Sequence, residues 1–227
     1  MTIDKGVLQG QGMTSLRTRQ RLIERLTEKG IADVRILEAM RDSPRHLFLD
    51  EALSTRAYEE LALPIGYQQT ISQPYIVARM TECLISDERL SDKPLNNTLE
   101  IGTGCGNQTY FLSLFSKKVT TIERIEPLQE KAKKTLKGLK VNNVNFKVDD
   151  GNNLDQKKYD AILSAAAPLQ IPQNLKERLN IGGKLILPVG DSRQQILTLV
   201  KRVSKDKYIE EKLEEVLFVP LLKGVVS

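Results

Sequence analysis

From Thr98 onward, short apolar runs alternate with stretches of helical spacing. The runs are TLEI (98–101), VTTIE (119–123), NFKVDD (145–150), YDAILSA (159–165) and GGKLILPVG (182–190). Helical segments begin near Gln108, Pro127 and Pro172. Strands separated by helix-sized intervals argue a mostly parallel sheet and an α/β class. QQILTLVKRVS (194–204) and VLFVPLL (216–222) have few such intervals and read as strands extending the same sheet. Upstream the period changes. Ser15–Lys29 and Asp33–Arg41 have helical spacing, broken at Gly30. DSPRHLFL reads as a turn into an irregular segment of mixed polarity that ends at Ser72, before a helix from about Gln73 to Ser86. Residues 1–95 are therefore expected to form an N-terminal helical extension, with Met1–Gly12 as a loose tail. Residues 96–227 are expected to form the α/β core, and the two to pack as one compact unit.

Composition narrows the class. The chain has 227 residues, 40% of them apolar, and no apolar run of membrane-spanning length. Its first residues lack the apolar centre of a secretory signal. Cys83 and Cys105 are the two cysteines, and no Cys/His spacing suggests a metal site. A reduced, cytoplasmic setting is expected, without metal or membrane. The net charge of +5 invites a nucleic-acid reading, but acids dilute the basic residues. The densest cluster, EKAKKTLKGLK (130–140), carries apolar residues at helical intervals and reads as a solvated helix face. Aromatics are 5% and Trp is absent, so stacking platforms are scarce and no nucleic acid is expected. No coiled-coil seam is visible, which favours a monomer.

LEIGTGCGNQ places Gly102, Gly104 and Gly106 after a strand and before a helix. Glycines there let the chain turn sharply and bring backbone close to a ligand at a helix N-terminus. VTTIE then ends in Glu123, at the offset of an acid that grips ribose hydroxyls. A tight turn with a surface Glu is the plainer alternative. The spacing, with Glu100 ahead of it, resembles the first motif of S-adenosylmethionine-dependent methyltransferases. In VDDGNNL, Asp150 at a strand end is placed to accept from the adenine amine, with Gly151 allowing close approach; the pair reads equally well as a turn.

IGYQQTISQPY (65–75) concentrates uncharged hydrogen-bonding groups ahead of this loop. ILSAAAPLQIP, after the fourth strand of the core, lacks the Asn/Asp-Pro-Pro-aromatic motif of base-modifying amine methyltransferases. The lone histidine, His46 in SPRHLF, reads as structural, so no general base is evident. A carboxylate acceptor needs none, because with a pKa near ~3.5 it is ionised at neutral pH. Thr70, Ser72 and Gln73 are neutral donors able to orient such a group. Ser72, immediately before Gln-Pro, is also a good helix N-cap, and the two roles are compatible.

LALPIGYQQTISQPYIVARMTECL, LEIGTGCGNQT, YDAILSAAAPLQIP, IGGKLILPVG and FVPLLKGVV together resemble protein-L-isoaspartate (D-aspartate) O-methyltransferases, from about Gly12 to the C-terminus. The resemblance implies a doubly wound, Rossmann-like methyltransferase fold with added N-terminal helices. It implies methyl transfer from S-adenosylmethionine to the free α-carboxylate of L-isoaspartyl residues in damaged proteins and peptides. Repair then proceeds through a succinimide. By position, Ser72 is the active-site serine, within a substrate block of Thr70, Ile71, Ser72 and Gln73. Gly102, Gly104, Glu123, Asp150 and Gly151 fall on cofactor positions. The chain departs from the family pattern at Cys105 (commonly Ser), Asn107 (commonly Tyr), Asp149 (commonly Gly) and Ser164 (commonly Thr). Those departures motivate an alternative: a catalytically inactive S-adenosylmethionine-binding regulatory or interaction protein.

Overall fold

In the computed structural model, which describes residues 5–86, 94–151, 154 and 156–227, the N-terminal portion is helical. It contains α1 (Lys5–Gln9), α2 (Leu16–Glu28), α3 (Val34–Asp42) and α4 (Glu51–Ser54). α2 buries Arg19, Leu22 and Leu26, one stripe at helical spacing. Residues 5–9 do not form the loose tail expected from their composition. Buried Arg19 anchors them, with Nη2 donating to the carbonyls of Leu8 (2.5 Å) and Gln9 (3.1 Å). A cation at a helix C-terminus satisfies carbonyls that the helix itself leaves open.

A two-stranded hairpin, β1 (Leu63–Gly66) and β2 (Gln69–Ile71), was not foreseen in the stretch read as irregular. α5 (Pro74–Ile85) follows and is buried along most of its length, against α2, α3 and a strand of the main sheet. Glu82 on α5 reaches the start of α3, where Oε1 accepts from the backbone N–H groups of Ala32 and Asp33, each at 2.8 Å.

The core follows as β3 (Leu95–Ile101), α6 (Asn107–Phe115), β4 (Ser116–Glu123), α7 (Glu126–Gly138), β5 (Val144–Val148), β6 (Tyr159–Ser164), α8 (Gln173–Glu177), β7 (Leu179–Gly190), β8 (Gln195–Arg202) and β9 (Tyr208–Val216). The sheet order is β5-β4-β3-β6-β7-β8-β9. Pairings from β5 to β7 are parallel, and β8 and β9 add antiparallel. The segments Ala161–Leu163 of β6 and Leu185–Val189 of β7 are continuous in apolar character because both faces of the sheet are covered there. On β6, Ala161 and Leu163 join the core shared with the N-terminal helices, while Ile162 packs on the opposite face with Leu99 and Leu185. β3 leads towards β4 on one side and β6 pairs on its other side, so the C-terminal ends of β3 and β6 flank a topological switch point.

One strand expectation is corrected. The last strand is YIEEKLEEV, not VLFVPLL. β9 is largely exposed at the sheet edge, so charges along it hide its period, and such charges suit an edge strand. VLFVPLL leaves the sheet after Val216 and spends its hydrogen bonds elsewhere: Val219 O accepts from Ala167 N, and Leu221 N donates to Ala167 O, both at 2.8 Å.

Glu82→Ala is expected to lower unfolding stability by about 1–3 kcal/mol in urea titration, because two part-buried N–H groups at the start of α3 lose their acceptor. Glu82→Gln keeps an acceptor oxygen and is expected to lose less.

Candidate functional site

A cavity of about 530 Å³ opens over the C-terminal ends of β3, β4 and β5, beside the switch point. This is the size of a small-molecule site. Three walls enclose it: the glycine loop with the strand ends, residues 68–73 with the first turns of α5, and residues 215–222 after the sheet edge.

The loop's conformation follows from its glycines. Gly102 has φ +92°, and its N–H returns to Ile122 O at 2.8 Å, so the strand turns at once. Gly106, at φ +88°, caps α6 where a Cβ would stand only 3.0 Å from that of Ala132 on α7. Glu123 then fixes the loop. Its Oε2 accepts from Gly104 N and its Oε1 from Ile125 N, each at 2.9 Å. Each carboxylate oxygen retains acceptor capacity, so Glu123 still suits a hydroxyl donor in the cavity.

Beneath the loop lies Glu100, fully buried, with Oε2 accepting from Thr109 Oγ1 (2.5 Å) and Thr121 Oγ1 (2.6 Å). Oε1 has no partner among the described residues. Burial raises its pKa from the ordinary 4.5 to about 8, against the opposing pull of the two threonine hydroxyls, with the Glu123 charge adding to the rise. Cys105 is likewise buried and its thiol is pushed up to about 11, mainly by desolvation. It is a neutral filler of the loop, not a nucleophile.

The opposite wall is set by the hairpin. Its turn runs through Gly66, Tyr67 and Gln68 at φ +92°, +52° and +57°. A Tyr in the left-handed region is strained, and such turns are normally given to Asn and Gly. β2 delivers Thr70 and Ile71 to the cavity, followed by Ser72 and Gln73. Ser72 is not the helix cap. α5 starts at Pro74 with Gln73 in the cap position, and the Tyr75 N–H is taken at 2.9 Å by Glu60 Oε1 from a distant segment. Arg45, fully buried, holds this stretch by its backbone: Nη2 donates to Ser72 O and Nε to Ala57 O, both at 2.7 Å. Desolvation lowers its pKa to about 10, so it remains a cation at neutral pH. His46 is buried with Nδ1 2.9 Å from the Tyr58 hydroxyl, away from the cavity lining.

Thr70, Ile71, Ser72, Gln73, Gly102, Gly104, Glu123 and Asp150 therefore line one cavity. Gly151 does not. It has φ +74°, and a Cβ there would meet Ile101 at 3.2 Å, so it shapes the turn behind the lining. In the same turn Asp149 Oδ1 accepts from Gly151 N at 3.1 Å. Residues 152 and 153 of VDDGNNL lie outside the described residues. Asp150 Oδ2 accepts from Gly224 N at 2.9 Å, which ties the C-terminal segment across the strand ends. Arg45 and Glu60 were not legible as site elements, since no motif marks them; FVPLL (218–222) carried the resemblance but read as a strand, not as a cavity wall.

The family model for protein-L-isoaspartate(D-aspartate) O-methyltransferase matches residues 17–226. The chain belongs to that family. A relative named protein-L-isoaspartate O-methyltransferase from Saccharophagus degradans is 51% identical, over 98% of this chain and 99% of the relative. One of the same name from Hahella chejuensis is 54% identical, over 94% and 100%. A solved structure titled protein-L-isoaspartate O-methyltransferase superposes with a TM-score of 0.76 at 27% identity, over 89% of this chain and 65% of that one. A solved Plasmodium falciparum structure, titled a putative protein-L-isoaspartate O-methyltransferase in complex with S-adenosyl-L-homocysteine, shares the fold at 24% identity and a TM-score of 0.77, over 90% and 98%. Relatives this similar over their whole length support the transferase reading over the binding-only alternative. In this chain the departures at Asp149 and Ser164 are absorbed locally: Asp149 braces its own turn, and Ser164 Oγ donates to Ala166 O at 2.7 Å.

Glu100's contribution to stability is fully present below pH 4.5 and is lost as pH climbs through about 8, because its folded-state pKa is raised. Glu100→Gln cannot ionise. The melting temperature of Glu100→Gln, relative to the parent protein, is expected to rise between pH 5 and pH 9 in thermal scans.

Proposed function

We propose that the cavity between the Thr70–Gln73 segment and the glycine loop is the methyl-transfer site of this chain, with Ser72 facing the acceptor. As a member of its family, the protein uses S-adenosylmethionine to methylate the free α-carboxylate of L-isoaspartyl residues in damaged proteins and peptides. Cyclisation of the ester to a succinimide then begins repair. One observation carries the assignment of residues: a neutral hydroxyl-amide segment and an acid-braced glycine loop, far apart in sequence, line one cavity.

The residues suit the methyl donor. The cavity has the volume for a nucleoside with an amino-acid tail, the loop lets its backbone approach closely, and Glu123 retains acceptor capacity for ribose hydroxyls. Asp150 at the end of β5 is the acceptor for the adenine amine. The donor supplies an electrophilic methyl on a sulfonium. All remaining work is positional. An α-carboxylate with a pKa near ~3.5 is already ionised at neutral pH. No proton has to be removed from such an acceptor. Holding the oxygen in line with methyl and sulfur is worth roughly 7–11 kcal/mol. Thr70, Ser72 and Gln73 supply neutral hydrogen bonds that hold the carboxylate without competing for the methyl group. Ile71, 2% exposed, anchors the segment in the core, and Arg45 holds Ser72 by its carbonyl. Because the acceptor loses charge during transfer, bonds to it are at least as strong before the transition state as in it. Ser72 therefore contributes to substrate binding more than to the rate of the bound complex.

We place the protein in the cytoplasm, acting as a monomer on polypeptide substrates and not on nucleic acid. Two unpaired, buried cysteines suit a reducing compartment.

Incubation with labelled S-adenosylmethionine and paired peptides is expected to methylate the isoaspartyl peptide and spare its aspartyl twin. Equal labelling of both, or of neither, overturns the proposal. Ser72→Ala is expected to lower kcat/KM roughly 10- to 100-fold, mainly through KM, by loss of a hydrogen bond to a charged group. Its melting temperature should stay at the parent value, because the helix N-terminus is served by Glu60.

A further inference from the structure

Asn107 begins α6 where that helix meets α5, and its neighbour Gln108 donates through Nε2 to Thr81 Oγ1 at 2.9 Å. It lines the cavity, yet it is only 2% exposed. Neither Nδ2 nor Oδ1 has a hydrogen-bond partner among the described residues. Other side chains there leave one polar atom unmet, but Asn107 leaves two. Burying both ends of a carboxamide without partners opposes folding, and an apolar residue of similar size would serve the fold better. Such a group is explained by a ligand that completes it.

The ligand's chemistry follows from the layout of the cavity, and it rests on the transferase reading above. Glu123 and Asp150, at the tips of β4 and β5, take the nucleoside end of the donor. The methyl group must lie toward Ser72, just before α5. Beyond the sulfur, the donor's amino-acid tail is left to the end of the cavity where α5 and α6 meet. That tail carries a carboxylate, which accepts, and an ammonium, which donates. A carboxamide offers the complementary pair. The N-terminus of the nine-residue α6 also favours an anion. We infer that Asn107 is a specificity-determining residue for the methyl donor: Nδ2 donates to its α-carboxylate and Oδ1 accepts from its α-ammonium.

The test compares two ligands by calorimetry on the full chain. S-adenosylhomocysteine has the amino-acid tail, whereas methylthioadenosine has the same nucleoside and sulfur without it. Asn107→Leu is expected to weaken S-adenosylhomocysteine binding roughly 10- to 100-fold and to leave methylthioadenosine binding unchanged. The melting temperature of the unliganded variant is expected to equal or exceed that of the parent. If both ligands weaken alike, or neither changes, the assignment of Asn107 is overturned. If the Leu variant fails to fold, Asn107→Ala is read by the same ratio of affinities. A parent chain that binds no S-adenosylhomocysteine overturns the donor assignment as a whole, an outcome distinct from an unchanged ratio.

Discussion

The buried carboxylate of Glu123 holds the site together. It accepts one backbone N–H from the glycine loop, at Gly104, and one from the residues after β4, at Ile125. A carboxylate in a nearly buried position is tolerable when its lone pairs are met, and here two backbone groups meet it. Those bonds set the distance between the loop and the end of β4, and with it the floor of the cavity. Gly102 and Gly106 are needed because the loop so placed has left-handed backbone and close neighbours on both sides. The acid that sequence spacing assigned to ribose is therefore also the brace of the glycine loop.

The opposite wall is held by charges that the cavity never sees. Arg45 donates to the carbonyls of Ala57 and Ser72, and Glu60 accepts the first available N–H of α5. Both are ordinary charged residues in the sequence, and both act on backbone. Ser72 is thereby freed from the capping role its position before Gln-Pro suggested. A hydroxyl not needed by the helix is available to a substrate, and the burden of ending the helix falls on a residue outside the site. The hairpin that carries Thr70 and Ile71 turns through a left-handed Tyr67, so this wall also carries backbone strain, as functional segments often do.

Two buried polar groups mark where stability yields to function. Glu100 is held beneath the loop by two threonine hydroxyls and kept protonated at neutral pH by its burial, with one oxygen unmet. Asn107 has neither end of its carboxamide met. A fold optimised for stability alone would not bury such groups, and both sit at the glycine loop, one at its base and one just after it. The C-terminal segment completes the enclosure by lying across the strand ends, bonded to Ala167 and, through Gly224, to Asp150.

Local periodicity was enough for the parallel strands, the main helices and the glycine loop, because those features repeat at the spacing of the backbone itself. It also located the neutral block at Thr70–Gln73 and the acids Glu123 and Asp150, since each sits at a motif with its own residue signature. It failed for β9, whose exposed edge position removes the apolar alternation, and for VLFVPLL, whose apolar residues cover a cavity instead of joining a sheet. It misassigned the cap of α5, because the acceptor for Tyr75 N–H comes from Glu60, fifteen residues upstream. Only the tertiary structure decided that the block and the loop share one cavity, that Gly151 stands behind it and that Asn107 lacks partners. Each is a relation between distant segments, produced when the helical N-terminal portion packs on one face of the sheet, and spacing along the chain carries no record of it.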